Sequence, residues 1–123
     1  GGAAMNDLTG GYTLVSGERD GRPLPPDHIH DTVVRFTADT VTVTDRDEKQ
    51  TYAATYTLDR SARPARIRMT ATHAPNAGDV AEGLIEKTGD TVRLIYALPG
   101  KPTPTGFKTK AGELLFVLEN RHK

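Results

Sequence analysis

Short runs of β-branched and aromatic residues recur along this chain, each cut off after a few residues by Gly, Pro, Asp or Asn, and this punctuation limits the fold more than any other feature. Eight such runs stand at about residues 11–18, 32–38, 41–45, 50–58, 66–72, 81–87, 91–97 and 113–120. The fourth alternates most clearly, with Tyr52, Ala54, Tyr56 and Leu58 on one face and Thr51, Ala53, Thr55 and Thr57 on the other. No window of a dozen residues has a helical period, which argues against crossover helices and against the parallel pairing that needs them. Eight sequential antiparallel strands close most simply into an up-and-down barrel, which removes exposed edges. A two-sheet sandwich is the alternative. An eight-stranded barrel is just wide enough to fill itself with side chains or to hold one small ligand.

A chain of 123 residues is the size of one domain with one core. Lys and Arg number 16, as do Asp and Glu, so no net field draws the protein to nucleic acid or to a membrane surface. There is no Cys, which removes disulfides, thiolate nucleophiles and Cys-based metal sites. No apolar run approaches the roughly 20 residues of a membrane span. Gly1-Gly2-Ala3-Ala4 reads as an expression scar ahead of a domain at 5–123, and Met5-Asn6-Asp7-Leu8 lacks the basic start and apolar run of a secretory signal. A natural start at Met5 would imply a cytoplasmic protein.

Loop lengths add a direction to the barrel. Odd-numbered connections fall at one end and even-numbered ones at the other. Connections one (19–31), five (73–80) and seven (98–112) are long, whereas two and six are tight turns. Long loops gathered at one rim point to a mouth, because binding residues favour loops held on a rigid scaffold. The same loops could instead plug the barrel.

Asp27-His28-Ile29-His30-Asp31 is the densest set of potential metal ligands. In an extended segment His28 and His30 would point the same way, with His73 and Asp79 on the same rim. Pro25-Pro26-Asp27 equally opens a short helical lid, in which side chains two apart diverge. Without a matched third ligand, no metal is expected. No Gly-x-Ser-x-Gly elbow, His-Glu-x-x-His helix or phosphate loop is present, so no catalytic residue and no cofactor are assigned. Arg60, Arg63, Arg66 and Arg68 form a local basic stretch. Arg66 and Arg68 alternate with Ile67 and Met69, as on a solvated strand face, and nucleic acid is not the expected partner.

Tyr12, Phe36, Tyr52, Tyr56, Met69, Tyr96 and Phe116 occupy the inward phase of their strands. Buried tyrosines need hydrogen-bond partners, and a lumen with several phenols suits an amphipathic ligand better than a wall of Leu and Val. Phe36, Tyr52, Tyr56, Met69 and Tyr96 are therefore the expected lumen wall, with His30, His73 and Phe107 at the rim. Phe107, between Gly106 and Lys108 on a Pro-rich loop, is either a lid over the mouth or an anchor for its loop. The favoured function is binding of a small apolar or amphipathic molecule by a monomer or weak homodimer. The alternatives are a pocket-type cyclase or isomerase that holds its substrate in a reactive conformation, and an interaction module with a filled core.

Two loop-centred signatures carry a family resemblance: Val15-Ser16-Gly17-Glu18-Arg19-Asp20-Gly21-Arg22-Pro23-Leu24-Pro25-Pro26 and Pro99-Gly100-Lys101-Pro102-Thr103-Pro104-Thr105-Gly106-Phe107-Lys108, the latter preceded by Gly89-Asp90-Thr91-Val92-Arg93-Leu94. In this order they resemble the small lipocalin-like domain family first catalogued in planctomycete bacteria, over residues 8–118. The resemblance implies a calycin-type barrel and names no activity. It also implies that export through an upstream signal stays open, since the family has exported members. Gly10-Gly11-Tyr12 stands where lipocalins carry Gly-x-Trp. Arg121 follows the last strand, where lipocalins pack a basic residue over that aromatic.

Overall fold

A computed structural model describes residues 7–121, so the expected expression scar at Gly1-Gly2-Ala3-Ala4 and the expected start at Met5 lie outside the described residues. In chain order the elements are β1 (Gly10–Arg19), β2 (Arg22–Pro23), α1 (Pro26–Ile29), β3 (Val33–Phe36), β4 (Thr40–Thr44), β5 (Gln50–Asp59), β6 (Ala65–Ala71), β7 (Val80–Thr88), β8 (Thr91–Ala97) and β9 (Glu113–Asn120). From β3 to β9 each strand pairs antiparallel with the next. β1 lies between β3 and β9, and its pairing with β9 closes an eight-stranded up-and-down barrel. That closure replaces the sandwich alternative, which would leave free edges.

The eight runs read from the sequence are the eight barrel strands. Connection one departs from a plain loop. Arg22 and Pro23 turn back on β1 as a two-residue hairpin, and Pro26 at the first helical position opens the short α1, where its missing N–H is not needed. The second run ends earlier than its composition implies. Thr37 Oγ1 accepts the Asp39 and Thr40 amides at 3.3 and 3.0 Å, turning the chain before residue 38.

Two bulges shift side chains between faces. One falls between Leu14 and Ser16, leaving Val15 unpaired and exposed, and the other leaves Thr51 unpaired opposite the Val43–Thr44 step. Beyond the first bulge the inward phase of β1 moves to Gly17 and Arg19, which pair with Phe116 and Leu114.

The core is divided along the barrel axis. At the end with the even-numbered connections, Tyr12, Phe36 and Tyr56 fill the lumen edge to face, with ring centroids 5.7 and 5.6 Å apart. Their hydroxyls are satisfied there: Tyr12 donates to Leu8 O at 2.8 Å and Tyr56 to Thr37 O at 2.7 Å. The cation over the Tyr12 ring is Lys87, 5.8 Å from its centre, rather than Arg121, whose amide bonds Gly11 O.

A second apolar layer lies outside the barrel. Leu84 and Ile95 are register partners in outward phase, yet they are only 7% and 0% exposed. Connection seven folds back along this outer wall. Its Thr103 hydroxyl reaches Glu82 of β7, its Phe107 ring lies against Arg93 of β8, and its Thr109 bonds Glu18 of β1. Among the described residues no helix is long and apolar enough to cross a membrane.

Candidate ligand cavity

The half of the lumen opposite the aromatic stack is not filled. Where β1, β3 and β5 put Tyr12, Phe36 and Tyr56 at the closed end, β4 sets only Val41 beside Phe36 and β3 and β4 contribute Val34 and Val43 further along, and these smaller side chains border a cavity of about 230 Å³. Leu14, Met69, Leu94 and Leu118 supply the remaining aliphatic wall, and Thr51, Tyr52, Tyr96 and Phe116 stand around it towards the end with the odd-numbered connections. Ile29 of α1 packs against the core cluster from connection one, so the short helix partly covers that end.

Polar groups in this half are few. Among the described residues, the Tyr52 and Tyr96 hydroxyls have no hydrogen-bond partner, in contrast to Tyr12 and Tyr56 at the closed end. Burial pushes the Tyr52 phenol up, and the Asp79 carboxylate adds to the effect. Burial pushes Tyr96 up further, with Tyr52 adding and Arg19 opposing. Both therefore stay neutral donors at physiological pH. Arg19, Leu114 and Tyr96 are register partners across β1, β9 and β8, so the Arg19 side chain leaves its strand on the same face as Tyr96, one row above Phe116.

Of the residues singled out in the sequence, Tyr52, Met69 and Tyr96 come together on the cavity wall. Phe36 and Tyr56 are inward too, but they belong to the packed closed end. His73 stands at the rim, its Nδ1 3.4 Å from Nε2 of Gln50 at the start of β5. His30 caps α1 and turns to solvent, with Nε2 3.1 Å from Asp31 Oδ2. His28 lies within the helix, so the two histidines do not share a strand face. Among the described residues no three His, Asp or Glu side chains gather as a metal site.

Phe107 sits on the outer wall rather than over the mouth, which matches the anchor alternative for its loop. Arg66 and Arg68 are exposed on β6, and Arg68 faces Glu82 at 3.8 Å. Arg19 was not legible as a rim residue without the bulge at Val15, because simple alternation from Tyr12 puts it outside. The signal available was the run Ser16-Gly17, where two small residues weaken the strand pattern.

Fold and site together define a closed eight-stranded antiparallel barrel with one packed end and an apolar internal cavity towards the other. Compared with protein-family models, curated proteins and solved structures, the chain matches none.

Proposed function

We propose that the protein binds one small apolar or amphipathic molecule in the open half of its barrel, as a lipocalin-like carrier or sequestering protein. The observation that carries this reading is the division of the lumen. Three aromatic rings pack one end while an aliphatic cavity of about 230 Å³ remains at the other. A barrel whose role was only to present its outer surface would gain stability by filling that space, since an unfilled cavity forfeits dispersion contacts. Apolar walls with a few placed polar groups are the usual make-up of a small-molecule site. The Tyr52 and Tyr96 hydroxyls are such groups.

Titration with an environment-sensitive apolar dye tests the reading, together with native mass spectrometry of freshly purified protein. Saturable one-to-one binding, or a retained small molecule, is expected. A folded barrel that takes up no dye and carries no ligand would overturn it in favour of the interaction module.

A further inference from the structure

We propose that the cavity takes a medium-chain monocarboxylate, with the alkyl chain in the aliphatic void and the carboxylate at the rim, held by the Arg19 guanidinium and the Tyr52 and Tyr96 hydroxyls. This rests on the binding function proposed above and specifies its ligand class.

Size sets the chain length. A cavity of about 150 Å³ accepts benzene, so a void of about 230 Å³ has room for roughly nine non-hydrogen atoms by simple proportion. That is an alkyl chain of about eight carbons with part of its head group, and too small for a sterol or a long-chain lipid.

Charge sets the head group. In the hairpin at the rim, Arg19 and Arg22 stand directly opposite each other. Like charges in such cross-strand positions repel, and the acid near this pair is Asp20, 3.8 Å from Arg19 Nε. Among the described residues Arg22 has no carboxylate within ion-pair distance. An anion at this rim would relieve the repulsion and accept charge-assisted hydrogen bonds from the planar guanidinium.

The phenols fit the same head group. Tyr52 and Tyr96 border the cavity as neutral donors without an acceptor among the described residues, and a carboxylate offers acceptor sites for both. Asp79 stands near Tyr52 and would repel an anion, so the carboxylate lies on the Arg19 and Tyr96 side. A primary amine would meet two guanidinium groups there, and an alcohol would bring no charge to offset their repulsion.

The test compares octanoate, 1-octanol and octylamine, equal in chain length, by calorimetry or dye displacement on the full chain. Octanoate is expected to bind about tenfold or more tightly than 1-octanol, because a hydrogen-bonded charge pair exceeds a neutral one by that order. Arg19→Gln should bring octanoate to the level of 1-octanol and leave 1-octanol unchanged. Arg19→Lys should keep part of the preference, which separates charge from any effect on folding. Tyr96→Phe should weaken octanoate by about threefold to tenfold. Equal binding of octanoate and 1-octanol by the unaltered protein, or tightest binding of octylamine, would overturn the carboxylate assignment and leave lumen binding standing. If none of the three binds while the folded barrel still takes up the dye, the carboxylate assignment fails alone; if the dye does not bind either and no ligand is retained, both proposals fail.

Discussion

The centre of the Phe107 ring lies 4.2 Å from the Arg93 guanidinium carbon, on the outside of the barrel. Arg93 is itself hydrogen-bonded to Glu86 across the β7–β8 ladder, so the ring rests on a charge already fixed by its strand neighbour. A cation–π contact at such a half-exposed site contributes about 0.5–2 kcal/mol. Phe107→Ala should therefore lower stability by about 1–2 kcal/mol and raise the mobility of residues 98–112, measured by urea unfolding and hydrogen exchange. Dye release from the lumen, followed by stopped-flow, should be unchanged. Faster release at unaltered stability would instead make Phe107 a lid.

Gly83 is irreplaceable for a reason of backbone proximity. A Cβ built there would stand 1.9 Å from Ile95 O, well inside contact distance, so β7 and β8 would have to separate at this pair. The obstacle is backbone and cannot rotate away. Gly83→Ala is expected to cost at least about 3 kcal/mol, beyond ordinary overpacking. At Gly17 a Cβ would meet the Leu24 side chain at 2.6 Å, a softer obstacle that can move. Gly17→Ala should cost less than half as much in the same denaturant series.

These two glycines also show where the sequence is silent. The alternation of Tyr52, Ala54, Tyr56 and Leu58 fixes a face without knowledge of any partner, and so do the Arg66–Met69 positions; period-two patterns are local. Closure by β1 and β9, the close approach of Gly83 to the Ile95 backbone and the bond from Thr109 to Glu18, 91 positions away, are relations between separate segments. One distant relation did leave a trace. Gly83-Leu84-Ile85 and Leu94-Ile95-Tyr96 are continuous apolar runs rather than alternating ones, the mark of strands covered on both faces. Connection seven is that cover, and reading it as a rim loop misplaced Phe107. Which inward residues border a void depends on summed side-chain volumes, so Phe36 and Tyr56 could not be told from Tyr52 and Tyr96 by phase alone.

The tyrosine pairs differ in partners, and their hydroxyls should differ in energetic weight. Tyr56 donates to Thr37 O at 2.7 Å. Tyr56→Phe removes that bond, leaves a carbonyl less satisfied and is expected to cost about 1 kcal/mol. Tyr96→Phe removes a hydroxyl with no partner among the described residues and should leave stability within about 0.5 kcal/mol of the parent, or raise it. Thermal and urea midpoints of the two variants, measured without ligand, decide the matter. Equal losses would mean that Tyr96 has a structural bond of its own.

Acid should loosen the tether of connection seven through Glu18. Its Oε1 accepts the Thr109 hydroxyl at 2.6 Å and the Thr109 amide at 2.9 Å, and these bonds hold the carboxyl below its ordinary value of 4.5. With the folded value depressed, the unfolded chain takes up the proton first. The contribution is fully present above the unfolded value and is lost as pH falls through the folded one. Glu18→Gln should thus be less stable than the parent at neutral pH, and the gap should close as pH drops below the carboxylate range. A gap that stays constant to low pH, followed by urea midpoints at each pH, would mean that the carboxylate's charge is not what Thr109 responds to.

Filling the void offers the sharpest separation of fold from function. Val43 borders the cavity on β4 and is only partly buried, so a larger ring there can extend into the lumen without displacing the aromatic stack at the closed end. Enlarging a side chain in a packed core usually costs about 1–3 kcal/mol. Where space already exists, the added ring gains dispersion contacts and apolar burial that offset the strain. Val43→Phe is therefore expected to hold stability within about 1 kcal/mol of the parent while weakening dye and octanoate binding at least tenfold. Tyr56→Trp, aimed at the packed end, should show the reverse pattern, a loss of about 1–3 kcal/mol with binding largely kept. If Val43→Phe binds as the parent does, the ligand does not occupy the lumen. If instead it loses several kcal/mol, the open half of the barrel is packed and has no room for one.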